Sequence, residues 1–128
     1  MSDEIRVVSP IDGNIVARRP LADEAAIAAT LAAARKAQRD WRAVPLAARI
    51  ETVRRFTAAM RAKKDEIGAE LTRQMGRPIR YTPMEVERMC ERAETMMALA
   101  PDGLADVKAG AREGFTRFIR KEPLGVVF

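Results

Sequence analysis

The sequence predicts an α+β fold dominated by helix, with an N-terminal β-hairpin, three helices and extended strands toward the C-terminal end. Three observations carry this. Apolar residues recur at the helical period through the middle of the chain. β-prone runs are confined to its two ends. Proline and glycine separate these segments cleanly. The division is 1–20 for the hairpin, 23–100 for the helical portion and 104–128 for the strands.

Ile5 to Ser9 and Asn14 to Arg19 are short β-prone runs joined across Pro10-Ile11-Asp12-Gly13. Asp-Gly supplies the positive-φ position of a tight turn, so the two runs form a hairpin. Asp23 is a good N-cap with Glu24 in the first turn, so the first helix runs from about 24 to 42. Ile27, Leu31, Ala34 and Trp41 share one face of it, and Ala26, Ala29, Ala33 and Ala37 widen that face.

Pro45 opens the second helix, expected over 46–75. Leu46, Ile50, Val53, Met60, Ile67 and Leu71 follow the helical period, with Phe56 beside them. The period lapses at Ala62 to Lys64, which predicts a bend there. Gly76 is placed to end the helix, and Pro78 prevents its continuation. Thr82-Pro83-Met84-Glu85 reads as a capping box with proline in the first turn of a third helix over 83–100. Val86, Met89, Cys90, Ala93, Met96, Met97 and Ala100 form its apolar side, and Pro101-Asp102-Gly103 ends it. A loop with glycines at 110 and 114 precedes the terminal extended stretch.

Apolar residues make up 48% of the 128-residue chain and charged residues 32%, which excludes intrinsic disorder and allows one modest domain. The net charge of +5 would suit an anionic partner. However, Arg54-Arg55 and Lys63-Lys64 alternate with Glu51, Asp65, Glu66 and Glu70, and aromatics are only 5%. No nucleic-acid partner is expected from that pattern. No segment is apolar enough for a membrane span or a signal-peptide core, and a single cysteine suits a reducing compartment, so a cytoplasmic location is expected.

The chain has no histidine and one cysteine. A Ser/His or Cys/His nucleophile pair and a zinc cluster therefore cannot be built from it. Cys90, beside Met89 on an apolar helix side with no nearby cation, reads as a buried, inert thiol. Met84, Met89, Met96 and Met97 read as gap-filling core. Gly110-Ala111-Arg112-Glu113-Gly114 has the wrong spacing for a dinucleotide fingerprint or a P-loop. No catalytic, cofactor-binding or metal-ligating residue is expected in this chain. The apolar run Leu124-Gly125-Val126-Val127-Phe128, with no turn or cap after it, predicts that the chain is the front part of a longer polypeptide.

The order of motifs resembles the N-terminal part of the NAD(P)-dependent aldehyde dehydrogenase superfamily. The resemblance rests on Ser9-Pro10-Ile11-Asp12-Gly13-Asn14-Ile15, then Pro20-Leu21-Ala22-Asp23 before an alanine-rich helix, then Trp41, Pro45 and Arg49. Gly76-Arg77-Pro78 and Arg120-Lys121-Glu122-Pro123-Leu124-Gly125-Val126-Val127 complete it. It implies a fragment of an α/β enzyme that oxidises an aldehyde to a carboxylic acid, or to a thioester in some branches, with NAD or NADP. In such enzymes a cysteine forms a thiohemiacetal, hydride passes to the nicotinamide, and a glutamate-activated water releases the acid. Those residues lie downstream in the family, so this chain alone is expected to be inactive.

The resemblance also implies a homo-oligomer through 112–128, a segment expected to be disordered or paired with a neighbouring molecule. It further implies that the third helix borders the aldehyde access tunnel, with Glu85, Met89 and Arg92 on one face at i, i+4 and i+7. Glu85 and Met89 are equally accounted for as capping and core residues. Gln74 stands where many members carry an acidic residue that helps hold an alkali cation, so no metal is assigned. A strand pair that many members place before the hairpin is missing. The alternative function is a standalone basic helical interaction module, and the coding sequence after Phe128 separates the two.

Overall fold

In a computed structural model that describes residues 4–127, the chain forms two small antiparallel ladders flanking four helices. Residues 1–3 of the hairpin segment and Phe128 of the terminal apolar run lie outside the described residues.

Strands β1 (Glu4–Val8) and β2 (Ile15–Pro20) pair antiparallel, Val7 opposite Ala17 and Val8 opposite Ile15, with a bulge between them. The turn closes as the Asp-Gly pair predicts. Gly13 has φ 76° and its N–H donates to Ser9 O at 2.9 Å, while Asp12 Oδ1 accepts from Asn14 N–H at 3.0 Å. That backbone N–H, with the Asn14 side chain, holds the Asp12 carboxyl below the usual carboxylate range.

Helix α1 (Glu24–Arg42) starts and stops where the sequence predicts, with Asp23 Oδ1 accepting from Ala26 N–H at 2.7 Å. Its apolar stripe is open: none of its residues is buried, and Ile27 and Trp41 are largely exposed. The face that Ile27, Leu31, Ala34 and Trp41 share thus forms as expected but is not buried against another helix.

The expected second helix is two helices, α2 (Leu46–Ala62) and α3 (Lys64–Met75), so the helix count is four rather than three. The break falls at Lys63, φ −108° and ψ 14°, inside the stretch where the apolar period lapses. Helix α3 ends at Gly76 in the left-handed region, φ 72°. A Cβ there would come 2.7 Å from Pro10 Cγ, so the glycine also lets the hairpin turn lie against the end of α3.

Helix α4 (Thr82–Gly103) packs against α2 and α3. It runs three residues past the expected end and takes in Pro101. Pro101 has no N–H to donate to Met97 O, yet the last turn still closes, with Leu104 N–H donating to Ala100 O at 2.9 Å. The capping box does not form. Thr82 is fully buried and its hydroxyl donates back to Ile79 O at 3.1 Å, while the Glu85 carboxylate goes to Arg77. The core is small: Val86 and Cys90 are the buried apolar side chains among the described residues, with Thr57 and Thr82 beside them. Of the four methionines read as core, Met89 and Met97 are half-buried, whereas Met84 and Met96 are exposed.

Strands β3 (Val107–Lys108) and β4 (Phe118–Ile119) form a two-residue antiparallel ladder, Val107 opposite Ile119. Within 112–128, expected to be disordered or paired with a neighbouring molecule, Phe118 and Ile119 pair instead within their own chain. Asp106 and Arg120 brace the ladder at 2.8 Å. The hydrogen bond between them holds the Asp106 carboxyl below its usual range and raises the Arg120 guanidinium. Residues 120–127 run on without strand partners.

Candidate functional site

The three residues expected on a tunnel wall lie along one shoulder of α4. Glu85 pairs with Arg77 and lies 3.9 Å from Arg88 Nη1. It joins Arg77, Pro78, Tyr81, Met84 and Arg88 around a cleft of about 400 Å³. Met89 is half-buried and Arg92 is exposed, and neither contributes to that lining. Of the three, Glu85 alone lines that cleft.

A second group was not foreseen. Arg61, in the last turn of α2, donates from Nε to Glu87 Oε2 at 2.8 Å and from Nη1 to Glu94 Oε1 at 2.8 Å. Lys64 Nζ, the first residue of α3, donates to Glu87 Oε1 at 3.3 Å. Two cations from either side of the Lys63 break thereby grip one turn pair of α4. The pattern was available in sequence only as Glu87 and Glu94 at i, i+7 on one helical face. The hydrogen bonds that Arg61 donates to Glu94 and Glu87 raise its guanidinium further, and Arg61 and Lys64 hold the Glu87 carboxyl below its usual range.

A carboxylate with a lowered folded pKa stabilises the fold above its unfolded value, near 4.3, and loses that contribution as pH falls through the folded value. The α2–α3–α4 unit is therefore expected to weaken on acidification below about pH 5, and Glu87→Gln should flatten that dependence. Urea titrations monitored by far-UV circular dichroism at pH 7 and pH 3.5 check this; parallel losses in parent and variant would contradict it.

Next to this group, Cys90 is fully buried and its thiol donates to Thr57 O at 3.5 Å; burial, and not the expected absence of a nearby cation, shields it, since Arg61 stands close by. An apolar recess of about 460 Å³ lies between the end of α1, α2 and the second half of α4, lined by Trp41, Ile50, Val53, Ala93, Met97 and Ala100 among others. Gln74 Nε2 donates to Glu70 Oε2 at 3.1 Å. The glycine run 110–114 lies in the loop between β3 and β4 and opens no helix, so it does not fit a dinucleotide phosphate cradle. Among the described residues, no helix is long and apolar enough to cross a membrane.

A sequence profile described as the aldehyde dehydrogenase family matches residues 1–128. The chain is 32% identical to betaine aldehyde dehydrogenase 2 of Rhizobium meliloti, over 96% of this chain and 25% of that protein. It is 26% identical to malonate-semialdehyde dehydrogenase 1 of Bacillus licheniformis, over 94% of this chain and 25% of that one. Its backbone superposes on PnpE, solved in complex with nicotinamide adenine dinucleotide, with a TM-score of 0.85 and 24% identity over 94% of this chain and 25% of that chain. This chain belongs to the aldehyde dehydrogenase family. It spans about a quarter of the length of these relatives.

Proposed function

We propose that this chain is the N-terminal structural part of an oxidoreductase that oxidises an aldehyde to a carboxylic acid with NAD or NADP, and that it is inactive alone. The observation that carries this is the open apolar surface of α1 and of the recess beneath Trp41, in a chain whose residues 1–128 match the family profile. Apolar area of that extent is normally covered by further protein. The remainder of the same enzyme is the partner that fits, and it brings the nucleophile, the water-activating carboxylate and the dinucleotide site. The residues here hold neither a nucleophile–base pair nor a phosphate cradle, so no chemical step is assigned to them.

Four finer assignments belong to this reading. Glu85, with Met89 and Arg92 farther along the same shoulder of α4, borders the path taken by the aldehyde. Residues 112–128, with Phe115 and Ile119 exposed, contribute to a homo-oligomer. The parent enzyme is cytoplasmic and uses no metal held by this chain.

The purified chain is expected to give no aldehyde-dependent NADH or NADPH formation and no calorimetric heat of NAD binding above background. Micromolar binding of NAD would overturn the inactivity. Light scattering on the same sample, with and without residues 112–128, tests the oligomer, which requires a smaller particle after deletion.

A further inference from the structure

We propose that the cleft where the end of α1 and the first turn of α2 meet the segment Lys121–Pro123 binds an oxyanion, a carboxylate or phosphate group, through Arg42, Arg49 and Lys121. The cleft measures about 410 Å³ and is lined by Arg42, Arg49, Leu104, Lys121, Glu122 and Pro123. Three cations there face one carboxylate. That carboxylate, Glu122, is already engaged by Arg42. Lys121 Nζ donates to Gly103 O at 2.5 Å, which satisfies a donor and leaves its charge unbalanced. Arg49 has no ion pair among the described residues, and its Nε is buried without an acceptor.

Arg49 differs in kind from the other unpaired arginines. Arg92 is exposed, so water solvates its charge. Arg49 is half-buried, and it also lines the apolar recess with Trp41, Ile50 and Met97, which confines its stem and removes solvent from one side. A guanidinium held in that way is positioned in advance for an acceptor, and it loses little further freedom when one arrives. Because Nε is sealed off, the anion must meet the two terminal nitrogens end-on, as carboxylates and phosphates do in bidentate pairs. Lys121 supplies a second charge across the cleft, and Glu122 is the resident competitor for Arg42. The proposal does not depend on the chain forming part of an active enzyme.

The test follows backbone amides and arginine Nε–Hε signals by NMR while sodium phosphate, and separately sodium acetate, is titrated against sodium chloride at matched ionic strength and pH 7. Saturable shifts centred on Arg42, Arg49 and Lys121 are expected with at least one oxyanion and not with chloride. Saturation by both probes assigns the site to carboxylates and phosphates alike; saturation by one alone narrows it to that group. Arg49→Gln should weaken binding about tenfold, the scale of one charge-assisted bidentate contact. Glu122→Gln should tighten it several-fold by freeing Arg42, a gain that a loosened fold cannot produce. Shifts that track ionic strength alone, or unchanged or weaker binding in Glu122→Gln, overturn the proposal.

Discussion

Gly68→Val is expected to separate α3 from α4 and to lower stability by about 3 kcal/mol or more. Gly68 is buried in α3, where a Cβ would lie 2.9 Å from Thr82 Oγ1, 3.2 Å from Pro83 N and 3.3 Å from Pro83 Cδ. None of these neighbours yields easily. Thr82 is fully buried with its hydroxyl committed to Ile79 O, and Pro83 presents backbone and a closed ring. Glycine costs a helix about 1 kcal/mol relative to alanine, so Gly68→Ala recovers part of its clash through propensity. Valine recovers less and adds two methyl groups at the point of closest approach. Urea denaturation followed by far-UV circular dichroism should rank parent, Gly68→Ala and Gly68→Val in that order. A valine variant as stable as the parent would mean that α3 and α4 do not meet here.

Val86→Asp should abolish cooperative folding of the α2–α3–α4 unit. Val86 is 3% exposed and, with Cys90, makes up the fully buried apolar core among the described residues. A carboxylate at that point loses its hydration with no cation supplied in exchange, a penalty of several kcal/mol even after its pKa rises. Domains of this size have total stabilities of only about 5–15 kcal/mol, and one with so few buried side chains has little reserve. Val86→Ala, which removes two methyl groups and adds no charge, should cost about 2 kcal/mol and still fold. Proton NMR dispersion and a thermal melt distinguish these outcomes. A sharp, unshifted melting transition in Val86→Asp would show that this position is not the centre of the core.

Much of the local structure was legible because its causes are local. Asp23 and its bond to Ala26 N–H lie within one helical turn, as do Asp12, Gly13 and Asn14 at the hairpin tip. The lapse at Ala62 to Lys64 marked the break between α2 and α3 for the same reason, although one bent helix was expected where there are two. Thr82 shows the limit of such reading. Its position before Pro83 and Glu85 fits a cap, but close packing against Gly68 and the pull of Arg77 on Glu85 took both side chains elsewhere.

The candidate tunnel residues were legible as one face of α4 and no further, since a helical period says which residues share a side and not what stands opposite. The Arg61 grip on Glu87 and Glu94 spans 26 and 33 residues, and the meeting of Arg42 with Glu122 spans 80. No window of sequence contains both partners of any of these pairs. The α1 stripe makes the same point from the other direction, because its alternation of alanine, isoleucine and leucine would read identically whether covered or open. The sequence by itself determined where backbone would coil, turn or extend, since propensities and caps act within about four residues. Which side chains are buried, which cations find carboxylates and which face of α1 stays open were decided only when segments far apart in the chain came together.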